Sequence, residues 1–151
     1  MQGVYESLTD RGAAAGTYAV TSAAVFRAHR IVSARVEEVL APLGLTIPRF
    51  EVLGLLNVSD RGRLGFSDLK QTMFMHAATM GHTMRQLEGD ALVRREADPN
   101  DGRAFIAVIT AKGRTLSEKA IVALRGIHFG VAGVDEQSAR ALCVTLGALA
   151  E

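Results

Sequence analysis

Residues 98–114 read DPNDGRAFIAVITAKGR, and this stretch decides the fold. Asp98, Pro99, Asn100, Asp101 and Gly102 are turn formers. Proline and asparagine suit the centre of a tight turn, and glycine can take a positive φ. RAFIAVI (103–109) is an apolar run of strand length, and LVRREA (92–97) lies on the other side of the turn. The two segments read as a β-hairpin. Thr110 then stands where a helix begins, with a side chain suited to an N-cap. A turn tip usually tolerates any polar residue, yet here a single arginine, Arg103, sits between the glycine and the strand, as if held out in a fixed direction.

Upstream of the hairpin the chain is helical. Val25, Val32, Val36 and Val39 recur at helical spacing over about residues 15–40, and Pro42 and Gly44 end that helix. Thr46 is placed to cap the next helix, Pro48 fits its first turn, and Ile47, Phe50, Leu53 and Leu56 form its apolar stripe. NVSDRGRLG (57–65) is a polar connection in which Leu64 touches a short strand. FSDLKQTM (66–73) starts a short helix with Ser67 as cap and Asp68 at the positive end of the helix dipole. After a turn near Met75 and His76, a helix over about 77–90 buries Met80, Met84, Leu87 and Ala91. Downstream of Thr110, a helix carries Leu116, Ala120, Ala123, Leu124 and Ile127 until Gly130 and Gly133 break it. A last helix follows Asp135 with Ala139, Leu142, Leu146 and Leu149 on one face. The fold class is mainly α with a small β-hairpin wing.

The 151 residues suffice for one domain with a core, and 48% hydrophobic residues mark a globular chain. A net charge of +1 predicts no general polyanion binding, so any nucleic-acid role must come from local charge placement. The lone Cys143 builds no disulfide framework, which fits a reducing cytoplasm. Beside the apolar stripe of the last helix it reads as a buried packing thiol. AAAGTYAVTSAAVF (13–26) is broken by Arg27, His29 and Arg30 and does not look like a signal peptide. No run reaches the ~18 apolar residues of a membrane span.

Two helices joined by a tight turn and followed by a hairpin form the pattern of a winged helix-turn-helix, whose second helix enters the major groove. Opposite the Met80–Met84–Leu87 stripe lie Ala78, His82, Arg85 and Gly89, flanked by Thr79 and Gln86. Small residues let a helix settle into a groove, and Arg, Gln, His and Thr reach base edges or phosphates. An ordinary surface helix would more often show Glu/Lys ladders, and this face has no lysine. Arg103 on the wing can reach the backbone or the adjacent minor groove, where negative potential attracts guanidinium. Asp101 orients it or braces the turn; the competing reading is a surface ion pair of little worth. Arg94 and Arg95 are candidates for further phosphate contacts.

LTIPRFEVLGLL, FSDLKQTM, TMRQLEGDALVRR, the wing's Asp-x-Arg (Asp101, Arg103) and the following Thr-x-x-Gly (Thr110, Gly113) together resemble the MarR (multiple-antibiotic-resistance regulator) family of bacterial transcription regulators. The resemblance covers about residues 20–150. It implies a single domain over 1–151, with a DNA-binding lobe at 46–110 and helical dimerisation regions at 15–45 and 111–151. It implies a homodimer on a pseudo-palindromic double-stranded operator, usually a repressor released by a small molecule. The alternatives are an activator or a winged-helix protein-interaction module. Carried onto this chain, the effector candidates are Phe26, His29, Arg30, Arg49 and Phe50, a set suited to an aromatic carboxylate. The competing reading makes the two phenylalanines core and the other three solvated. The chain departs from the family's pattern at Ala91 and Gly102, where members often carry Gly and Arg, and at His82, which is often Arg.

Nothing in the sequence suggests an enzyme: it has no phosphate-cradling glycine loop, nucleophile elbow or paired catalytic carboxylates. No cofactor is expected. His76 and His82, six apart, are better suited to DNA contacts or turns than to zinc.

Overall fold

The computed structural model describes residues 13–99 and 101–149. Helix α1 (Ala13–Leu40) keeps Val25, Val32, Val36 and Val39 on its less exposed side. It tightens into a 3-10 turn, Ala41–Leu43, closed by Gly44 at φ 67°. Helix α2 (Ile47–Val58) has Thr46 in the N-cap position, but that side chain makes no capping hydrogen bond. Pro48 removes one of the two N–H groups a cap can bond, since a cap bonds the second or third helical residue and the second here is a proline. Strand β1 (Arg63–Gly65) runs directly into helix α3 (Phe66–Thr72). The helix therefore starts before the expected cap. Gly65 takes the cap position, Ser67 lies inside, and Asp68 is in the first turn as expected.

Helix α4 (Ala77–Gly89) buries Met80, Thr83, Met84 and Leu87. Strands β2 (Val93–Asp98) and β3 (Asp101–Ile109) form the expected hairpin, with Asp98 opposite Asp101 and an irregularity between Ala97 and Asp98. Of the turn between them, Asn100 lies outside the described residues. The polar connection at 57–65 contributes more than a touch: Arg63, Leu64 and Gly65 pair antiparallel with Val108, Ala107 and Ile106, giving a three-stranded sheet of order β1-β3-β2. Helix α5 (Ala111–Arg125) is capped by Thr110, whose Oγ1 accepts from Gly113 N–H at 3.0 Å. Helix α6 (Glu136–Gly147) is capped by Asp135, which accepts from Ser138 N–H at 2.9 Å.

The chain divides into two compact units, one over Arg35–Gly126 and one of Ile127 onward together with the chain up to Ala34. In the first, Val52, Leu53 and Leu56 of α2 join Leu69 of α3, the buried face of α4, Leu92, Val93, Ala107, Val108 and Ile109 of the sheet, and Ala120 and Leu124 of α5 in a common core. Two expectations shift here. Ala91 is exposed with φ 57°, because it ends α4 rather than continuing its stripe. On α5 the buried positions are Gly113, Ser117, Ala120 and Leu124; Leu116 is part-buried and Ala123 exposed. The buried stripe is rotated because the small residues make the closest approach: a Cβ on Gly113 would lie 2.1 Å from the Leu92 carbonyl oxygen. The helix also breaks earlier than Gly130, at Gly126, which leaves Ile127 beyond its end.

In the second unit α6 has no buried residue. Leu142, Leu146 and Leu149 share one face as expected and are all exposed. Cys143 is exposed too, contrary to the packing role expected of it, on a helix with no buried residue among the described ones.

Candidate nucleic-acid interface

Helices α3 and α4 are joined by four residues, Met73 to His76. His76 takes the N-cap position of α4. The same periodicity that buries Met80, Met84 and Leu87 leaves Ala78, Thr79, His82, Arg85 and Gln86 exposed, together with Gly89. All five recognition-helix candidates thus lie on the open face. No acidic residue occurs between Leu69 and Leu87, whereas Lys70, His76, His82 and Arg85 do. A polyanion approaching this face meets no repelling carboxylate over that span.

The far end of α4 is fixed from several directions. Leu92 N–H donates to Leu87 O and Ala91 N–H to Glu88 O, each at 2.9 Å, a paired closure in which Ala91 takes the left-handed position. The cap residue Asp90 forms an ion pair with Arg49, whose guanidinium also donates to Gly44 O at 2.9 Å. Lys112 Nζ donates to Asp90 O at 2.8 Å. Thr110 adds a third tie: its hydroxyl donates to Ala91 O at 2.8 Å while its own N–H donates to Leu92 O at 3.0 Å. The Thr-x-x-Gly pattern therefore has two physical jobs. The threonine joins the end of α4 to the start of α5, and the glycine lets α5 lie against the Leu92 carbonyl. Sequence reasoning caught Thr110 as a cap but missed Asp90 and Lys112, because both bonds link residues far apart in the chain.

On the wing, Arg94 and Arg95 are exposed but engaged. Arg94 pairs with Glu96 at 2.7 Å, and Arg63 of β1 reaches the same carboxylate at 2.9 Å. The hydrogen bond from Arg94, and then the charges of Arg63 and Arg94, hold the Glu96 carboxyl below its ordinary range. Arg95 pairs with Glu88 at 2.6 Å and lies 4.2 Å from the centre of the Phe105 ring. That ring packs at 4.6 Å on Phe66, so strand and α3 share an aromatic contact. Asp101 and Arg103 lie at the start of β3. Their side chains are outside the described residues.

The five effector candidates separate. Phe26, His29 and Arg30 are exposed on α1, and Phe26 is 64% open. Phe50 is part-buried on α2, so it fits neither full core nor open surface. Arg49 is not solvated: its side chain is 12% exposed and committed to Asp90 and Gly44. Among the described residues, no three His, Cys, Asp or Glu side chains gather to hold a metal ion. No single helix there is long and apolar enough to cross a membrane.

A helix-turn-helix entered from the short strand β1 and followed by the β2–β3 hairpin, with further helices before and after it in the chain, defines a winged-helix protein. The comparisons agree. The model of the MarR family matches residues 45–105. The chain is 32% identical over 101 residues to the HTH-type transcriptional repressor Rv2887 of Mycobacterium tuberculosis, a match spanning 67% of this chain and 71% of that one. Sco5413, a MarR family transcriptional regulator from Streptomyces coelicolor, has a TM-score of 0.78 at 31% identity, covering 90% of this chain and 93% of its own. Sco3205 of the same organism, solved in complex with DNA, shares the fold at a TM-score of 0.79 and 21% identity, covering 87% of this chain and 84% of its own. The chain belongs to the MarR family and is a transcriptional regulator.

Proposed function

We propose that this regulator is a homodimeric repressor that reads a pseudo-palindromic operator. Residues 46–110 form the DNA-binding lobe, and 15–45 and 111–151 form the dimerisation regions. The observation that carries the reading is the exposed, acid-free face of α4. Thr79, His82, Arg85 and Gln86 offer hydrogen bonds to base edges, and Ala78 leaves room for close approach. Arg103 anchors the wing on the backbone or in the minor groove, with Asp101 bracing it. Arg94 and Arg95 reach phosphates after exchanging their carboxylate partners.

Dimerisation is supported by the large apolar side chains left open in the unit that holds the chain ends, among them Tyr18, Phe26, Leu142 and Leu146. Exposed apolar surface of this kind marks an association site. A two-fold dimer presents two copies of α4 to half-sites about 34–36 Å apart. The effector is a small aromatic acid drawn to the aromatic and cationic residues Phe26, His29 and Arg30. By binding one spacing of the two α4 helices better than the other, it selects a dimer that no longer fits the operator. Such a protein works in the cytoplasm, and its role is regulation rather than catalysis.

The test is fluorescence anisotropy of the purified protein with duplex from upstream of its own gene, beside scrambled duplex, over a salt series. Wild type should prefer the upstream duplex. Arg103→Ala should bind more weakly and lower the salt slope by roughly one phosphate contact per subunit. No preference for that duplex, nor for any sequence selected from a random library, overturns the reading.

A further inference from the structure

The turn between α3 and α4 carries a side chain that the fold does not use. Helix α3 closes through Phe74 N–H to Gln71 O and Met75 N–H to Lys70 O, both at 3.2 Å. The residue between the cap and the end of such a closure takes left-handed backbone, which is why glycine is usual there. Here it is Phe74, at φ 48°. A bulky side chain adopts that conformation only under strain, and strain of this kind collects at functional positions. The ring gains little packing in return, since it is 77% exposed. Phe50, Phe66 and Phe105 of the same unit are part-buried, so Phe74 alone among its phenylalanines lies open.

Its position gives the exposure a meaning. Phe74 stands two residues before His76, the N-cap of α4, and the first residues of a recognition helix are those nearest the base edges. Thr72, His76, Ala77, Ala78 and Thr79 around it are exposed, and the segment holds no carboxylate. An apolar ring there has a natural target in the groove, the C5-methyl of thymine, which phenylalanine is suited to contact. The deoxyribose edge beside it offers a similar apolar surface.

We propose that Phe74 is a specificity residue of the DNA interface, seated against a thymine methyl and its sugar at the edge of each half-site. The inference rests on the DNA-reading role of α4 proposed above.

The experiment uses the full chain and an operator selected by the wild type from a random library. Phe74→Gly relieves the left-handed backbone, so its melting temperature should rise by about 2–4 °C. Its operator affinity should nonetheless fall about tenfold. Loss of binding in a more stable protein cannot be ascribed to unfolding. Phe74→Leu keeps an apolar group and should retain most of the affinity. The slope of affinity against salt should not change, because no phosphate contact is removed. Replacing thymines one at a time by deoxyuridine identifies the target. A single sensitive thymine per half-site, insensitive in Phe74→Gly, marks the methyl. Uniform insensitivity with the Phe74→Gly loss intact marks the sugar. If Phe74→Gly binds the operator as tightly as wild type, the inference fails and the reading of α4 stands. If the wild type selects no operator at all, both fail together.

Discussion

At the residue scale, a second left-handed mismatch between side chain and backbone lies at Ala91. It occupies the left-handed position that closes α4, at φ 57°, and its side chain is exposed. Left-handed backbone costs an alanine about 1–2 kcal/mol, part of which glycine returns as extra freedom in the unfolded chain. Ala91→Gly should therefore raise the melting temperature by about 2–4 °C in a thermal scan while leaving DNA affinity unchanged. Gly113 presents the opposite case. A Cβ there meets the Leu92 carbonyl at 2.1 Å, and backbone cannot swing aside as a side chain can. Gly113→Ala should cost about 1–3 kcal/mol or more in chemical denaturation. Were its denaturation midpoint equal to that of wild type, the packing of α5 against Leu92 would not be as described.

At the scale of elements, periodicity made α4 and its two faces readable in advance, because a buried methionine-leucine stripe fixes the opposite face at once. The hairpin was readable from turn residues flanking apolar runs. β1 was not. Its three residues are too few to show alternation, and they become a strand only by pairing with β3 far along the chain. Thr46 holds the cap position expected of it without the side-chain bond, and the cap at Ser67 was misjudged, because cap chemistry depends on which N–H groups follow and on where β1 delivers the chain. The engagement of Arg94 and Arg95 was equally hidden, since their partners Glu96 and Glu88 are set by strand geometry and by the end of α4.

That engagement carries a prediction for the wing. Glu96 neutralises Arg94 and Arg63 together, and Glu96→Gln releases both. Binding to any duplex should tighten, and the salt slope should grow by up to roughly one or two phosphate contacts per subunit, without gain in selectivity. Matched salt titrations on operator and scrambled duplex read this out. Because the folded state holds the Glu96 carboxyl low, the ion pairs persist above the ordinary carboxylate range and are lost only as pH falls through the lowered value. Affinity changes between pH 6 and 8 must then come from other groups.

For the whole molecule, composition alone separated a globular chain from a disordered one, and the resemblance implied that the helical ends pair two chains. What the sequence could not show is how exposed the described part of those ends is. Leu142 is 49% and Leu146 42% exposed, and α6 has no buried residue. Expecting Cys143 to be buried treated the single chain as the whole packing environment. If α6 is part of the dimer interface, Leu142→Glu should leave the Arg35–Gly126 core folded while shifting the species in sedimentation velocity from two chains to one. Operator binding should fall with it, since two half-sites are no longer read together. A variant that stays dimeric would remove α6 from the interface.

Met80, Thr83, Met84 and Leu87 hold α4 in place, while Ala78, Thr79, His82, Arg85 and Gln86 on the same helix are open. Mutational drift on one set is almost invisible to folding; on the other it is severely punished. If those open side chains read the operator, as proposed, its vocabulary can be rewritten a letter at a time on a scaffold that never changes, and duplicated copies of such a gene can come to address different promoters without an unfolded intermediate in their ancestry.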